Sequence, residues 1–152
     1  MGYGAKVEYS PGKYTAGLTV FQSRDFASSV PVENRISPQS GTITPENNVV
    51  IGLNFGTTVF HALQFNVEYS NSVLTKDQDP TYERLKVRTL AGIFAQTNAT
   101  SESYNAFKTN LNYNIAASKT LIGVGYERVD PNYQTHGGYY FVNDLINYTA
   151  NL

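Results

Sequence analysis

An apolar residue at every second position, repeated in segment after segment, is the property of this chain that most narrows its fold. Tyr3, Ala5, Val7 and Tyr9 alternate with Gly4, Lys6 and Glu8, and past Ser10-Pro11-Gly12 the pattern resumes at Tyr14, Ala16, Leu18 and Val20. Val49, Ile51, Leu53 and Phe55 repeat it, as do Leu63, Phe65, Val67 and Tyr69. Phe107, Leu111, Tyr113 and Ile115 follow, then Ile122, Val124 and Tyr126, and last Ile146, Tyr148, Ala150 and Leu152. Neighbouring side chains of a strand point to opposite faces, so this period builds strands with one apolar face. Helical spacing is sustained nowhere, and the chain is predicted to be all-β.

A one-sided apolar strand either covers a sandwich core or faces lipid. Composition separates the two. Charged residues make up only 15% of the chain, and mean hydropathy is −0.32 although 41% of residues are hydrophobic. A water-soluble domain combines a greasy interior with a charged skin. Here the alternate positions are mostly Asn, Thr, Gly, Gln and Ser, as in the wet lumen of a membrane barrel. Loop lengths agree. Short connections at Ser10–Lys13, Gly56–Val59 and Ala116–Lys119 alternate with long ones over Arg24–Asn47, Val73–Ser101 and Val129–Phe141. Aromatic residues near strand ends (Tyr9, Tyr14, Phe55, Phe60, Tyr69, Tyr113, Tyr126, Tyr148) suit the two interfaces of a bilayer. The expected architecture is one antiparallel up-and-down transmembrane β-barrel segment over residues 1–152. It has seven membrane strands, short periplasmic turns and long outer loops. The alternative is a soluble antiparallel β-domain that binds a small ligand or a protein partner.

Glu83–Ala95 (ERLKVRTLAGIFA) tests this scheme, because Leu85 and Val87 alternate with Arg84, Lys86 and Arg88. Counting it as a membrane strand would move the Ala116–Lys119 turn to the side of the long loops. Placing all of Val73–Ser101 in one outer excursion, with room for an edge strand of its own, restores the alternation. Its charges, Asp77, Asp79, Glu83, Arg84, Lys86 and Arg88, support that placement.

The stretch Tyr126-Glu-Arg-Val-Asp-Pro-Asn-Tyr133, followed by Gly137-Gly-Tyr-Tyr-Phe-Val-Asn-Asp144 and Asn147-Tyr-Thr149, resembles a motif of large outer-membrane β-barrel proteins of Bacteroidota. The resemblance runs over Gly125–Thr149 and, more faintly, over Asn98–Tyr113. Ile146 stands where the pattern often has Glu, and His136-Gly137-Gly138 where a bulkier residue often precedes a single Gly. It implies a Gram-negative outer-membrane location and a barrel of export or surface machinery, without an activity. Within the motif, Pro131 lacks an N–H and suits a strand end. Arg128 is placed to pair with Asp130 or Asp144. Gly137 and Gly138 offer permissive backbone for the reversal, and Asn143 and Asp144 suit an Asx turn. Tyr139, Tyr140 and Phe141 are expected to cover neighbouring strands, with glycan contact as the sharper option.

Catalytic, metal and cofactor sites are not expected. The net charge of −1 shows no basic field for nucleic acid. There is no Cys, and the only histidines are His61, at a short turn, and His136, in a long loop. A Ser-His-Asp arrangement around His136 with Asp130 or Asp144 lacks any G-x-S-x-G elbow. Asp77 and Asp79 lack the later Gly and Glu of a calcium loop. The sequons at Asn98 and Asn147 are short enough to arise by chance.

The second face is the more informative set: Lys6, Glu8, Gln22, Asn54, Gln64, Asn66, Glu68, Lys108, Asn110, Asn112, Glu127 and Asn151 are expected to face the lumen. Their mixed signs announce no ion selectivity. The function expected is that of a channel, a transport scaffold or a surface interaction platform. Seven strands fall short of the even-numbered bacterial barrels. The chain is therefore expected to be incomplete at one or both ends, its partners being the outer-membrane bilayer and missing strands of the same chain or partner barrel subunits.

Overall fold

In the computed structural model, residues 1–26, 36–37, 41–42, 44–78, 81–138 and 142–152 are described. Seven strands form a single antiparallel sheet: β1 (Gly2–Tyr9), β2 (Tyr14–Arg24), β5 (Asn47–Val59), β6 (Leu63–Thr75), β7 (Ser101–Ile115), β8 (Thr120–Val129) and β9 (Leu145–Asn151). Each strand pairs with the next one in this order, and the sheet is not closed. A two-stranded ribbon, β3 (Ile36–Ser37) with β4 (Gly41–Thr42), belongs to the connection between β2 and β5. The expected all-β, up-and-down arrangement is thus found as an open seven-stranded meander.

Short and long connections fall at opposite ends of the sheet, as the alternation requires. One turn is displaced from its expected place. The β5 ladder runs through Gly56–Val59 without a break, and the reversal comes at Phe60 and His61. Both take left-handed backbone (φ 52° and 59°), and the Ala62 N–H donates to the Val59 carbonyl. That is a turn with both central residues left-handed, set in a three-residue loop, Phe60 to Ala62, between the paired Val59 and Leu63. Its residues are bulky rather than Gly or Asn, which is why composition pointed to Gly56 instead.

Glu83–Ala95 is not a strand. It meets the rest of the excursion through an isolated bridge, Arg84 with Asn98, and hydrogen bonds between Leu85 and Thr97, and then makes a short 3₁₀ turn at Ala91–Ile93. The turn packs on the sheet: Val49, Ile51, Val73 and Ala91 form the buried apolar cluster, with Val87, Leu90 and Ala95 against it. Gly92 is required there, because a Cβ would collide with the Val87 carbonyl oxygen.

Cross-strand register sorts the side chains without ambiguity. One row runs Tyr9, Ala16, Phe55, Val67, Thr109, Tyr126, Tyr148, and the next runs Val7, Leu18, Leu53, Tyr69, Phe107, Arg128, Ile146. The alternate residues form rows such as Glu8, Gly17, Asn54, Glu68, Lys108, Glu127, Asn147 on the other face. One face is apolar and one is polar.

Candidate functional site

The apolar face is the less usual of the two, because most of it lies open. Val7, Tyr9, Leu18, Leu53, Phe55, Leu111, Tyr113, Ile122, Val124, Ile146 and Tyr148 are all exposed, Leu53 at 42% and Tyr148 at 77%. These eleven strand positions together present a larger apolar surface than the few hundred Å² that a solvated surface usually carries. Aromatic rings gather at two levels: Tyr14, Phe60 and Tyr113 near the short turns, and Tyr69, Phe107, Tyr126 and Tyr148 nearer the long connections. Within the second group, Tyr126 lies 5.2 Å from Tyr148 and 6.1 Å from Phe107, centroid to centroid.

The polar face is built from glycine and carboxamide. A Cβ at Gly17 would fall inside the Asn54 side chain, and at Gly123 inside both Asn112 and Asn151. Gly56 under Asn66, and Gly125 under Asn110 and Thr149, repeat the arrangement. These asparagine side chains therefore lie over glycines of the adjoining strands, where any Cβ would displace them. Lys6, Glu8, Gln64, Asn66, Glu68, Lys108, Asn110, Asn112 and Glu127 all share this face by register. Gln22 does not: it pairs with Tyr3 and Val49 on the apolar face and accepts a hydrogen bond from the Tyr3 hydroxyl at 2.6 Å. A glutamine that occupies an apolar-phase position simply keeps that phase, whatever its polarity.

The connection after β8 folds across the polar face. Asp130 and Tyr133 bracket a turn with Pro131 second and Asn132 third at φ 59°, closed by the Tyr133 N–H on the Asp130 carbonyl. Proline then left-handed asparagine is the type II pattern. The left-handed backbone falls on Asn132 and later Asp144, and Gly137 takes no positive φ. Arg128 approaches Asp130 at 3.7 Å, and the other Asp130 oxygen accepts from Asn105 backbone and side chain. From there the segment runs as a strap over β7, β6, β5 and β2. The Tyr133 hydroxyl meets Ser70 at 2.7 Å, Ser72 donates to the Gln134 carbonyl, and the His136 N–H donates to Asn48. Tyr133 ends up 2% exposed. A concavity of about 390 Å³ lies on the same face, lined by Asn54, Glu68, Ser70, Lys108, Glu127 and Val129 among others. Tyr140, with Tyr139, Phe141 and Asp79, lies outside the described residues, and Asn143 and Asn147 are exposed at the start of the return.

His136 carries a constellation that sequence alone did not suggest. Its Nδ1 lies 2.6 Å from Ser23 Oγ, and its Nε2 lies 3.0 Å from Glu46. The acid is Glu46, rather than Asp130 or Asp144. His61 stands at the opposite end, in the short turn. Two more missed residues are the fully buried asparagines Asn48 and Asn71, both at 0% exposure. Asn71 Oδ1 accepts from the Ala91 N–H at 2.8 Å, fixing the excursion on the apolar face, while Asn48 does the same for the strap on the polar face.

Burial of the Tyr133 phenol pushes its pKa up; the Ser70 hydrogen bond opposes this and the nearby Tyr69 adds to it. A phenol whose folded pKa is raised contributes stability that is complete below the ordinary tyrosine value of about 10 and is lost as pH rises through the folded pKa. The strap is therefore expected to loosen in strong alkali. In a 295 nm titration, Tyr133→Phe should remove a late-ionising component, and titration of all tyrosines as one ordinary class would count against a docked strap.

No family profile, curated protein or solved structure matches the chain.

Proposed function

We propose that this chain forms wall of an outer-membrane β-barrel, with the apolar face on lipid and the glycine–carboxamide face on the lumen, serving as a channel, a transport scaffold or a surface platform. The observation that carries the reading is the contrast between the two faces: an exposed apolar band on one, a low polar lane on the other. Aromatic residues at two levels of the band fit the two bilayer interfaces. The Tyr126–Thr149 motif, with its likeness to Bacteroidota barrels, supports the same location.

The strand count also states what the wall needs. Six antiparallel pairings separate β1 from β9, so these two edges run in the same direction. Joining β9 directly to β1, in one copy or around a ring of copies, would make a parallel junction. Antiparallel closure takes an odd number of further strands, consistent with the even counts of bacterial barrels. The β9 edge, Leu145-Ile-Asn-Tyr-Thr-Ala-Asn151, has no Lys, no Pro and no bulge to discourage pairing.

The test uses the absence of native Cys. Single-cysteine variants Leu53→Cys and Val124→Cys, and separately Asn66→Cys and Thr149→Cys, are labelled with an environment-sensitive fluorophore and folded into phospholipid vesicles. The first pair should show blue-shifted emission quenched by brominated lipid, and the second pair should remain water-like. A chain that stays monodisperse without detergent, with both label sets in water, would establish the soluble β-domain instead.

A further inference from the structure

The cluster around His136 is more than an anchor for the strap, and it stands whether or not the sheet lies in a membrane. Its members come from three distant places: Ser23 from the end of β2, Glu46 from the residue before β5, and His136 from the connection after β8. The strap is already tied down by Asp130, Tyr133, Gln134 and the His136 backbone. The imidazole contacts are additional to those ties. They also define one tautomer. The Glu46 carboxylate can only accept, so Nε2 carries the hydrogen and Nδ1 presents its lone pair to the Ser23 hydroxyl. That is the arrangement in which a histidine acts as general base toward a serine while an acid holds the ring. The ring is steadied from behind, since the His136 N–H is held by the buried Asn48. The imidazole and the Glu46 carboxylate are each about one-third exposed (33% and 38%) and Ser23 is 9% exposed, so the relay is approached from the imidazole side.

From this geometry we propose that Ser23 is an activated nucleophile for acyl esters at the long-loop end of the sheet. Ser23 Oγ bonds to the acyl carbon as its proton passes to His136 Nδ1. The carbon–oxygen bond of the ester then breaks, and the departing alkoxide takes that proton from Nδ1. Water reverses the sequence, releasing the acid and restoring the serine. The Nε2 proton stays on the ring throughout, held by Glu46. The N–H groups of His136 and Gly137 are spent on Asn48 and Thr135. These two amides form no oxyanion hole, so the natural class of acyl donor is an ester with a good leaving group, which needs little stabilisation of its tetrahedral intermediate.

The experiment treats the folded full chain with p-nitrophenyl acetate and maps acetylation by peptide mass spectrometry. Ser23 should acquire the acetyl group well before the exposed Ser10 and Ser118. His136→Gln should slow its acylation by about 10²-fold, the usual contribution of a positioned base, and Glu46→Gln by about tenfold. Ser23→Ala should abolish the adduct. As a second route, Ser23→Cys should be alkylated by iodoacetamide faster than the same thiol in a His136→Gln background. The proposal is overturned if Ser23 reacts no faster than Ser10. It is equally overturned if His136→Gln leaves the rate unchanged while Tyr133 stays protected from chymotrypsin, in which case the cluster only fastens the strap.

Discussion

Val124→Arg is expected to destabilise the protein folded in phospholipid vesicles by about 2–4 kcal/mol, the cost of a cation on the lipid face near the bilayer midplane. Val124 is 53% exposed and sits between Leu111 on β7 and Ala150 on β9, in the middle of the apolar band. In water, an arginine at a half-exposed strand position changes stability by roughly 0.5 kcal/mol or less. The two environments therefore predict effects that differ several-fold for one substitution. Leu111→Arg, next to it in the same row, should behave likewise. Gln64→Arg, on the polar face and exposed, provides the control and should be close to neutral. Urea titrations of the three variants in vesicles decide the matter: equal and small effects from all three would remove the apolar band from lipid.

Much of this arrangement was legible because a period of two survives any choice of strand ends. Tyr9, Ala16, Phe55, Val67 and Tyr126 were on one apolar phase before their row existed, and hydrogen-bonded pairing then aligned them. The parity of the long connections likewise follows from where the alternation stops. What failed were positions where polarity and phase disagree. Gln22 is polar but in phase with Val20, and the chain obeys phase. Asn71, Ser103 and Asn105 break the apolar pattern at the long-loop ends of β6 and β7, where the docked excursion needs polar partners beside the apolar cluster. Local alternation in Glu83–Arg88 had no partner strand to satisfy its backbone, so tertiary packing of Val87, Leu90 and Ala91 decided its shape.

The candidate site was less legible than the fold for a different reason. Ser23, Glu46 and His136 meet only because the strap crosses four strands, and no spacing within the sequence encodes that crossing. The left-handed turn at Phe60 and His61 belongs to the same category, since a phenylalanine does not advertise the positive φ that histidine tolerates. Asn48 and Asn71 carried a faint signal: each sits in a short uncharged polar run, Asn47-Asn48 and Ser70-Asn71-Ser72, at the end of a strand. A buried carboxamide persists only when its donors and acceptor are all used, so such positions mark where a loop comes down.

Those two asparagines should be separable by mutation. Asn71 donates to the Ser103 hydroxyl, the Tyr104 carbonyl and the Asn105 side chain, and accepts from the Ala91 N–H. Asn71→Ala strands that buried N–H and removes the link through Asn105 to Asp130, a loss of about 3 kcal/mol for a network of this burial. The excursion should then open, and trypsin should cut at Arg84, Lys86 and Arg88 while Tyr133 stays protected. Asn48 lies on the opposite face, donating to Ser72 and the Val73 carbonyl and accepting from the His136 N–H. Asn48→Ala should cost about 2–3 kcal/mol and expose Tyr133 to chymotrypsin without opening the excursion. The two asparagines share no hydrogen-bond partner, so the double variant should equal the sum of the singles within about 0.5 kcal/mol. Simultaneous release of both loops by either substitution would mean that the long-loop end opens as one unit. The sheet would then be transmitting the loss from one face to the other.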